Sequence, residues 1–461
     1  MNLVTFIKKS LTYIPRHIYY FWHNDYIKNI TLKCMKNPEG VFYENILRKN
    51  LVGRLKYAYK NVPYYSQFNQ LKDVNKENVF ETLESLPLLS KDIIRQQKDK
   101  MYSNIINLEF CGKGSTGGTT GKPLTFYRSN PSTEVAHQMA LYEYMTGIPY
   151  KHHLDKKNAI VAFDGVRPTE GNIENNIFWT FHKAGIYGSV DFCTLYMSES
   201  NLMYYFDELN KIHPLVIRGY SNAILKMAKY IKAHNLKLDQ PPKGIYVTSE
   251  YCSKVSMQFI SDAFNCNVFG QYGQTEACLF AWTKPNDDTY YCSPFYGYVE
   301  VLDQNGNNVK TGQLGEVVVT AFGGDVMPFI RYKTGDIVKC GNSIRSENFK
   351  TGIISLSALL GRKNEYIVDS CGQSIPLVGN IDIHYLNCKD KIIQYQIQQS
   401  QPGLIHFIII KTNEWTQSDE DEITNLFKIN NIKVIYEYVE NIPLTKNGKQ
   451  KAIIQNINRD N

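Results

Sequence analysis

Between residues 105 and 340 the apolar residues come in short runs set apart by segments of helical spacing. That alternation limits the fold more than any other property of the chain. AIVAF (159–163), LVIR (215–218), GIYVT (244–248) and NVFG (267–270) each read as one buried strand. Between them, 222–234 places Ile224, Leu225, Ala228 and Ile231 on one helical face, and 253–264 reads as a second helix. Strands alternating with helices build an α/β domain. Further on, GYVEVLD (297–303), QNGNN (304–308) and GEVVVTAF (315–322) read as strand, turn and strand around Asn305-Gly306. FIRYKTGDIV (329–338) adds another strand and turn.

The two ends of the chain have a different character. Residues 1–100 read as mostly helical and aromatic-rich. The stretch 17–33 carries Tyr19, Tyr20, Phe21, Trp22, Tyr26 and Ile27 among basic residues. It is expected as a helix packed on the main body, with a peripheral membrane or partner surface as the alternative. Leu51, Leu55 and Ala58 fall at helical spacing before Pro63 ends the run, and Ser90 is placed to cap a helix. After about residue 363, strand candidates at 365–369, 393–399, 404–411 and 433–439 are interleaved with helices near 378–387 and 418–430. The expected organisation is a large α/β domain over 1–362, with a helical N-terminal region, and a small α+β domain over 363–461.

The chain has 461 residues, enough for such a division, and 43% of them are hydrophobic, which supports a filled core. A net charge of +7 is spread without a long single-sign block. It favours anionic ligands weakly and carries no nucleic-acid signature. No apolar run reaches membrane-helix length, and MNLVTFIKKSLTYIP does not read as a secretory signal. Ten cysteines in so long a chain are no disulfide scaffold, and Cys252, Cys266, Cys278 and Cys292 lack CxxC spacing. Free thiols in the cytoplasm are the expectation.

Four stretches carry chemistry. CGKGSTGGTTGKP (111–123) alternates glycine with small hydroxyls and ends in Lys122 and Pro123. Successive backbone N–H groups, hydroxyls and a lysine can cradle phosphates; a plain flexible loop is the other reading. A P-loop NTPase would need Ser or Thr where Pro123 stands. The apolar Ile105-Ile106 before it and Leu124–Tyr127 after it suggest a loop between two strands. VFGQYGQTEACLF (268–280) follows a strand, so that Tyr272 can stack on a purine, Thr275 can reach a phosphate and Glu276 can hold Mg²⁺; an ordinary polar turn is the alternative. In RYKTGDIV (331–338), Asp336 can accept from both ribose hydroxyls. PLTKNGKQK (443–451) is on physical grounds a charged, solvated tail.

Taken together, these motifs resemble those of the ANL adenylate-forming superfamily, in its phenylacetate–CoA ligase-like and CapK-like branch, many of whose members serve polysaccharide biosynthesis. Thr116, Gly117, Gly118, Thr119, Thr120, Gly121, Lys122 and Pro123 match its phosphate loop. Tyr272, Gly273, Thr275 and Glu276 match Y-G-x-[ST]-E, and Arg331, Tyr332, Thr334, Gly335 and Asp336 match R-[YT]-x-T-G-D. Gly361 and Arg362 resemble the hinge motif, with Lys363-Asn364 approximating the pivot. Pro443, Thr445, Gly448 and Lys449 match the C-terminal lysine motif, although Leu444 replaces a basic residue. Val62–Tyr65 and Lys91–Ile94 are similar to N-terminal elements of the branch, and Glu250 sits where relatives carry a G-E-like strand end, with Ser249 in place of glycine.

The resemblance implies a two-step reaction with ATP, Mg²⁺ and a small carboxylic acid, giving an acyl-adenylate and pyrophosphate. Lys449, Glu276, Thr275 and Arg362 would be catalytic. Thr116 to Lys122, Tyr272, Gly273, Thr275, Asp336 and Arg362 would hold the nucleotide, and Glu276 the metal. The small domain would rotate about the hinge and present a thiol or amine acceptor, by default coenzyme A. An amide- or ester-forming ligase on a saccharide intermediate and a catalytically silent scaffold are the rivals. Relatives often dimerise. The aromatic segment with Phe163, Phe178, Trp179, Phe181, Tyr187 and Phe192 is either an acyl pocket or core, and His182 is a candidate partner for a carboxylate.

Overall fold

The structure is a computed structural model. It describes residues 16–38, 43–115, 124–128, 132–150, 160–342, 353–362, 365–377, 383, 386–443 and 450–457. The chain opens with helices α1 (Arg16–Lys36), α2 (Glu44–Asn61), α3 (Val79–Glu84) and α4 (Lys91–Gln97). Strands β1 (Gly112–Ser115) and β2 (Thr125–Arg128) follow, then helix α5 (Ser132–Thr146). The α/β run comprises β3 (Ile160–Asp164), β4 (Trp179–Gly185), β5 (Gly188–Cys193), α6 (Leu202–Ile212), β6 (Val216–Tyr220), α7 (Ser221–Ala233), β7 (Gly244–Thr248), α8 (Lys254–Phe264) and β8 (Val268–Gly273). Next come β9 (Phe280–Thr283), β10 (Tyr290–Cys292), β11 (Gly297–Leu302), β12 (Leu314–Ala321), β13 (Tyr332–Asn342) and β14 (Ser355–Arg362). The C-terminal elements are β15 (Tyr366–Val368), β16 (Ser374–Pro376), β17 (Ile392–Gln401), β18 (Leu404–Lys411), α9 (Gln417–Lys428), β19 (Lys433–Tyr438) and β20 (Ile453–Gln455).

The packing groups the chain into two units. The first comprises Met1–Tyr144, Tyr272–Trp282 and Tyr290–Ser357. Its strands run in the order β11-β12-β13-β14-β10-β9, with β1 and β2 as a separate antiparallel pair. Helix α2 buries Leu47, Leu51, Leu55 and Ala58, the apolar face expected from their spacing. It stops at Val62, which is extended because Pro63 follows. Helix α1 buries Thr31, Leu32, Cys34 and Met35, and its Lys28 pairs with Glu143 of α5 at 3.0 Å. This half of α1 is therefore packed, as the favoured reading had it; the side chains of Tyr19 to Trp22 lie outside the described residues.

The second unit comprises Met145–Gln271, Thr283–Thr289 and Ala358–Asn461. Its strands run β8-β7-β6-β3-β5-β4, parallel except for β4 at the edge. From β3 the chain winds first toward β5 and β4, then returns to β6, β7 and β8 on the other side. One face is covered by α6, α7 and α8, whose Leu209, Ile224, Ile231 and Ile260 meet Val161, Ile217 and Val247 of the strands. Each such buried aliphatic side chain contributes about 1.5–3 kcal/mol relative to exposure. At Gly219 the backbone has φ +143 and lies so close to Phe163 O that any Cβ would sit 2.1 Å from it.

Phe163, Phe178, Trp179 and Phe192 belong to this core, with Phe163 and Phe192 packed edge to face at 5.2 Å. The core reading thus accounts for these four rings, while Phe181 and Tyr187 are exposed. His182 pairs with the chain's own Asp191 at 2.9 Å.

Residues beyond 365 form an α+β sheet in the order β19-β18-β17-β20. Strands β17 and β18 are antiparallel, and α9 carries the chain from β18 to its parallel neighbour β19. The apolar side of α9, Ile423 and Phe427, packs on Ile397, Ile405, Phe407 and Ile409. The helix expected near 378–387 falls mostly outside the described residues; Asn387–Lys391 is a 3₁₀ turn. All ten cysteines are free thiols. Among the described residues there is no group of three or more metal-ligating side chains, and no helix is long and apolar enough to cross a membrane.

Candidate active site

Strand β8 ends in Tyr272-Gly273, and the chain turns at once over Gln274 to Ala277. The turn is closed by Ala277 N donating to Gln274 O at 2.9 Å, and Ala277 takes φ +53. Thr275 and Glu276 occupy its central positions. Arg128, the last residue of β2, donates to Thr275 O at 3.0 Å. The expected strand pair around the glycine stretch is therefore present in altered form. Its first strand is Gly112–Ser115 itself, in register with Thr125–Arg128, and not the apolar Ile105-Ile106.

Asp336 is presented by a bulge. Glu316 pairs with Ile337 and Val318 with Lys333, so Thr334, Gly335 and Asp336 together oppose Val317. Gly335 supplies the φ of +81 that the bulge needs. Thr334 closes it by donating its hydroxyl to Val317 O at 2.9 Å and accepting from Asp336 N at 3.1 Å. The Asp336 carboxylate receives Tyr272 OH on Oδ2 at 2.6 Å and Gln274 Nε2 at 3.3 Å.

The neighbouring carboxylate, Glu276, receives Tyr332 OH on Oε1 at 2.6 Å. Burial, reinforced by the adjacent carboxylates, pushes the Tyr272 and Tyr332 phenols well above their ordinary range. Both hydroxyls are therefore fixed as donors, and the two carboxylates as acceptors. Among the described residues Gln274 Oε1 is buried without a hydrogen-bond partner, an acceptor able to take a donor from a ligand.

A third element reaches this place through Arg331. Its guanidinium is buried and pairs with Glu300 at 2.9 and 3.2 Å, while Nη1 donates to Glu84 O and Leu86 O, each at 2.8 Å. Its own backbone is held at φ +50, with N donating to Thr320 Oγ1 and O accepting from Leu89 N. The clamp lays residues 84–89 along the start of β13, where Lys333 N donates to Leu89 O at 2.9 Å. Ser90 then caps α4, its Oγ accepting from Ile93 N as the sequence predicted. The first residue of that helix, Lys91, brings its ammonium to 4.0 Å from Glu276 Oε1.

Of the expected site residues, the structure brings Tyr272, Gly273, Thr275, Glu276 and Asp336 into one cluster in the first unit. Lys91, Arg128, Gln274 and Tyr332 join them without having been assigned a role from sequence. Tyr332, Gln274 and Lys91 fell inside stretches that resemble family elements; Arg128 is placed by its contact across the fold alone. Thr116, Gly117, Gly118, Thr119, Thr120, Gly121 and Lys122, the pivot Lys363-Asn364 and Lys449 lie outside the described residues. Arg362 ends β14, and its side chain is likewise outside them.

Residues 370–456 match the family model of the CapK C-terminal domain. Over 409 residues, 87% of this chain and 86% of the relative, the sequence is 26% identical to Protein CapK of Staphylococcus aureus. Among solved structures, 2-hydroxyisobutyryl-CoA ligase in the postadenylation state with R3-HIB-AMP superposes with a TM-score of 0.59 at 15% identity, over 89% of each chain. The AtGH3.15 acyl acid amido synthetase in complex with 2,4-DB gives 0.51 at 14% identity, also over 89% of each chain.

Proposed function

We propose that this chain, a CapK relative with the fold of the adenylate-forming ligases, activates a small carboxylic acid as its acyl-adenylate. The observation that carries this reading is the pair of tyrosine-held carboxylates, Tyr272–Asp336 and Tyr332–Glu276, on two sequence-distant turns, both acting on the Tyr332 phenol. One carboxylate suits a ribose, the other a divalent cation on phosphates, and nucleotide activation needs both at once.

In the proposed step a carboxylate oxygen attacks the α-phosphorus of ATP, the P–O bond to the β-phosphate breaks, and pyrophosphate leaves. The attacking acid is already ionised near neutral pH, so positioning and charge neutralisation are what the protein contributes. Asp336, aimed by Tyr272 and Gln274, binds the ribose hydroxyls, and the open acceptor Gln274 Oε1 suits an N–H donor of the base. Glu276 fits Mg²⁺: Oε1 is oriented by Tyr332, and among the described residues Oε2 accepts no hydrogen bond. The metal would neutralise phosphate charge. Thr116 to Lys122 would hold the β- and γ-phosphates, and Lys449 the α-phosphate and acid carboxylate, with Arg362 near the ribose.

The activated acid then passes to a thiol or amine, with the domain over 363–461 rotating at the hinge. The fold does not choose the acceptor, since its solved neighbours include both a CoA ligase and an acyl acid amido synthetase. Coenzyme A is the first acceptor to test, and a saccharide amine or hydroxyl the second. The ten free thiols support a reducing, cytoplasmic setting.

Acid-dependent exchange of pyrophosphate into ATP tests the first half-reaction without knowledge of the acceptor. Exchange with at least one acid, abolished in Asp336→Ala and Lys449→Ala, is expected. A broad acid panel without exchange would overturn the proposal; a Lys449→Ala protein exchanging at the full rate would overturn the role given to Lys449.

A further inference from the structure

In the first unit, the turn that carries Glu276 has one weak point, its central peptide. Ala277 N closes the turn on Gln274 O, which leaves the Thr275–Glu276 peptide between them. Types I and II of such a turn differ by a flip of this peptide, which carries φ of the third residue from about −90° to about +80°. That third residue is Glu276, which is not at positive φ here. Any swing of the peptide therefore re-aims the Glu276 side chain. The closing bond does not oppose it, because both turn types keep that bond.

Arg128 holds this peptide. Its Nη1 donates to Thr275 O, the carbonyl of the central peptide, at 3.0 Å. The guanidinium stays charged at every working pH, and a charged donor binds a carbonyl more strongly than a neutral one. A brace must itself be anchored, and β2 is. Phe126, two residues before Arg128 and on the same face of the strand, is 1% exposed. Its ring packs edge to face on Phe329 at 5.7 Å, and Phe329 packs on Tyr332 at 4.9 Å. Gly114 of β1 makes room for that ring, since a Cβ there would lie 2.9 Å from it. Strand β2 is thus fixed against the same tyrosine that donates to Glu276 Oε1. Glu276 is held at its carboxylate by Tyr332 and at its backbone by Arg128.

We propose that Arg128 is a positioning residue for Glu276: by locking the central peptide of the turn, it aims the carboxylate that takes the divalent cation. The metal role rests on the adenylation reading above; the lock on the turn does not. Arg128→Met keeps the length of the side chain and loses the donors, while Arg128→Lys keeps one charged donor. Hydrogen–deuterium exchange at the Ala277 amide should be about tenfold faster in Arg128→Met, the lower end for losing a charged hydrogen bond. Protection across 268–272 and 314–321 should not change, which reports an intact fold. The Mg²⁺ concentration for half-maximal pyrophosphate exchange should rise about tenfold, with the KM for ATP at saturating Mg²⁺ nearly constant. Arg128→Lys should lie between wild type and Arg128→Met in both measurements. An unchanged deuterium uptake at Ala277 would overturn the lock and the proposal with it. Faster uptake with an unchanged Mg²⁺ requirement would reduce Arg128 to a structural role and overturn the positioning. A wild-type protein that exchanges no pyrophosphate with any acid would instead refute the adenylation reading and the metal role together, while faster uptake at Ala277 would still uphold the lock.

Discussion

Replacing Arg331 by methionine removes the only cation facing Glu300 at hydrogen-bond distance among the described residues, and that carboxylate is 1% exposed. Four hydrogen bonds go with it, two to Glu300 and two to the carbonyls of Glu84 and Leu86. Breaking a buried pair from one side costs about 3–5 kcal/mol, because the remaining charge keeps its desolvation penalty. The lost carbonyl contacts add less than their separate values, since all four bonds belong to one group. A total of about 4–5 kcal/mol would consume much of the roughly 5–15 kcal/mol by which a folded chain exceeds its unfolded state. Burial already raises the Glu300 carboxyl above its ordinary range, with Arg331 opposing that rise. Without Arg331 the rise is larger. An acid whose folded pKa lies above its unfolded one loses stability as pH climbs from the unfolded value through the folded value. The variant should therefore be most impaired at pH 8 and partly recovered near pH 5. Urea unfolding followed by circular dichroism at both pH values measures this, and the double variant Arg331→Met/Glu300→Gln should regain at least half of the loss. A single variant within about 1 kcal/mol of wild type, or a double variant no better than the single, would refute the reasoning. Because the same clamp carries Lys91 toward Glu276, pyrophosphate exchange should fall alongside stability.

Three further outcomes follow from the geometry. Tyr332→Phe deprives Glu276 of its 2.6 Å donor and should raise the Mg²⁺ concentration for half-maximal pyrophosphate exchange about tenfold or more, with little change in the unfolding midpoint. His137 is buried between Thr133 O and Ser293 Oγ, and burial lowers its pKa from 6.5 to about 4. Its contribution is complete above pH 6.5 and is lost as pH falls toward 4, up to roughly 3 kcal/mol, so His137→Gln should flatten the acid limb of stability measured by thermal melts. Gly335→Ala meets no atom within 4 Å but must hold φ +81, a strain of about 1–2 kcal/mol. It should raise the KM for ATP by tilting Asp336, and an unchanged KM would show that the bulge does not aim that carboxylate.

Much of the architecture was legible because it rests on neighbours in sequence. Apolar runs at 215–218 and 244–248 became β6 and β7, the Leu51–Leu55–Ala58 spacing became the buried side of α2, and Ser90 became a cap. Spacing and capping are local physics, decided within a few residues. The glycine-rich strand β1 was not legible, because Gly112–Ser115 has no propensity for a strand and is held in one by its ladder with β2.

The site divides the same way. Sequence pointed to two carboxylates, Glu276 and Asp336, through the resemblance of their surroundings to family motifs, since the residues by themselves fit an ordinary polar turn equally well. Only the tertiary structure decided what holds them. Tyr332 reaches Glu276 over 56 residues, Arg331 reaches Leu86 over 245, and Gln450 reaches Glu250 over 200. Bonds over such separations depend on how whole strands and helices are stacked, and no local pattern of residue types specifies that stacking.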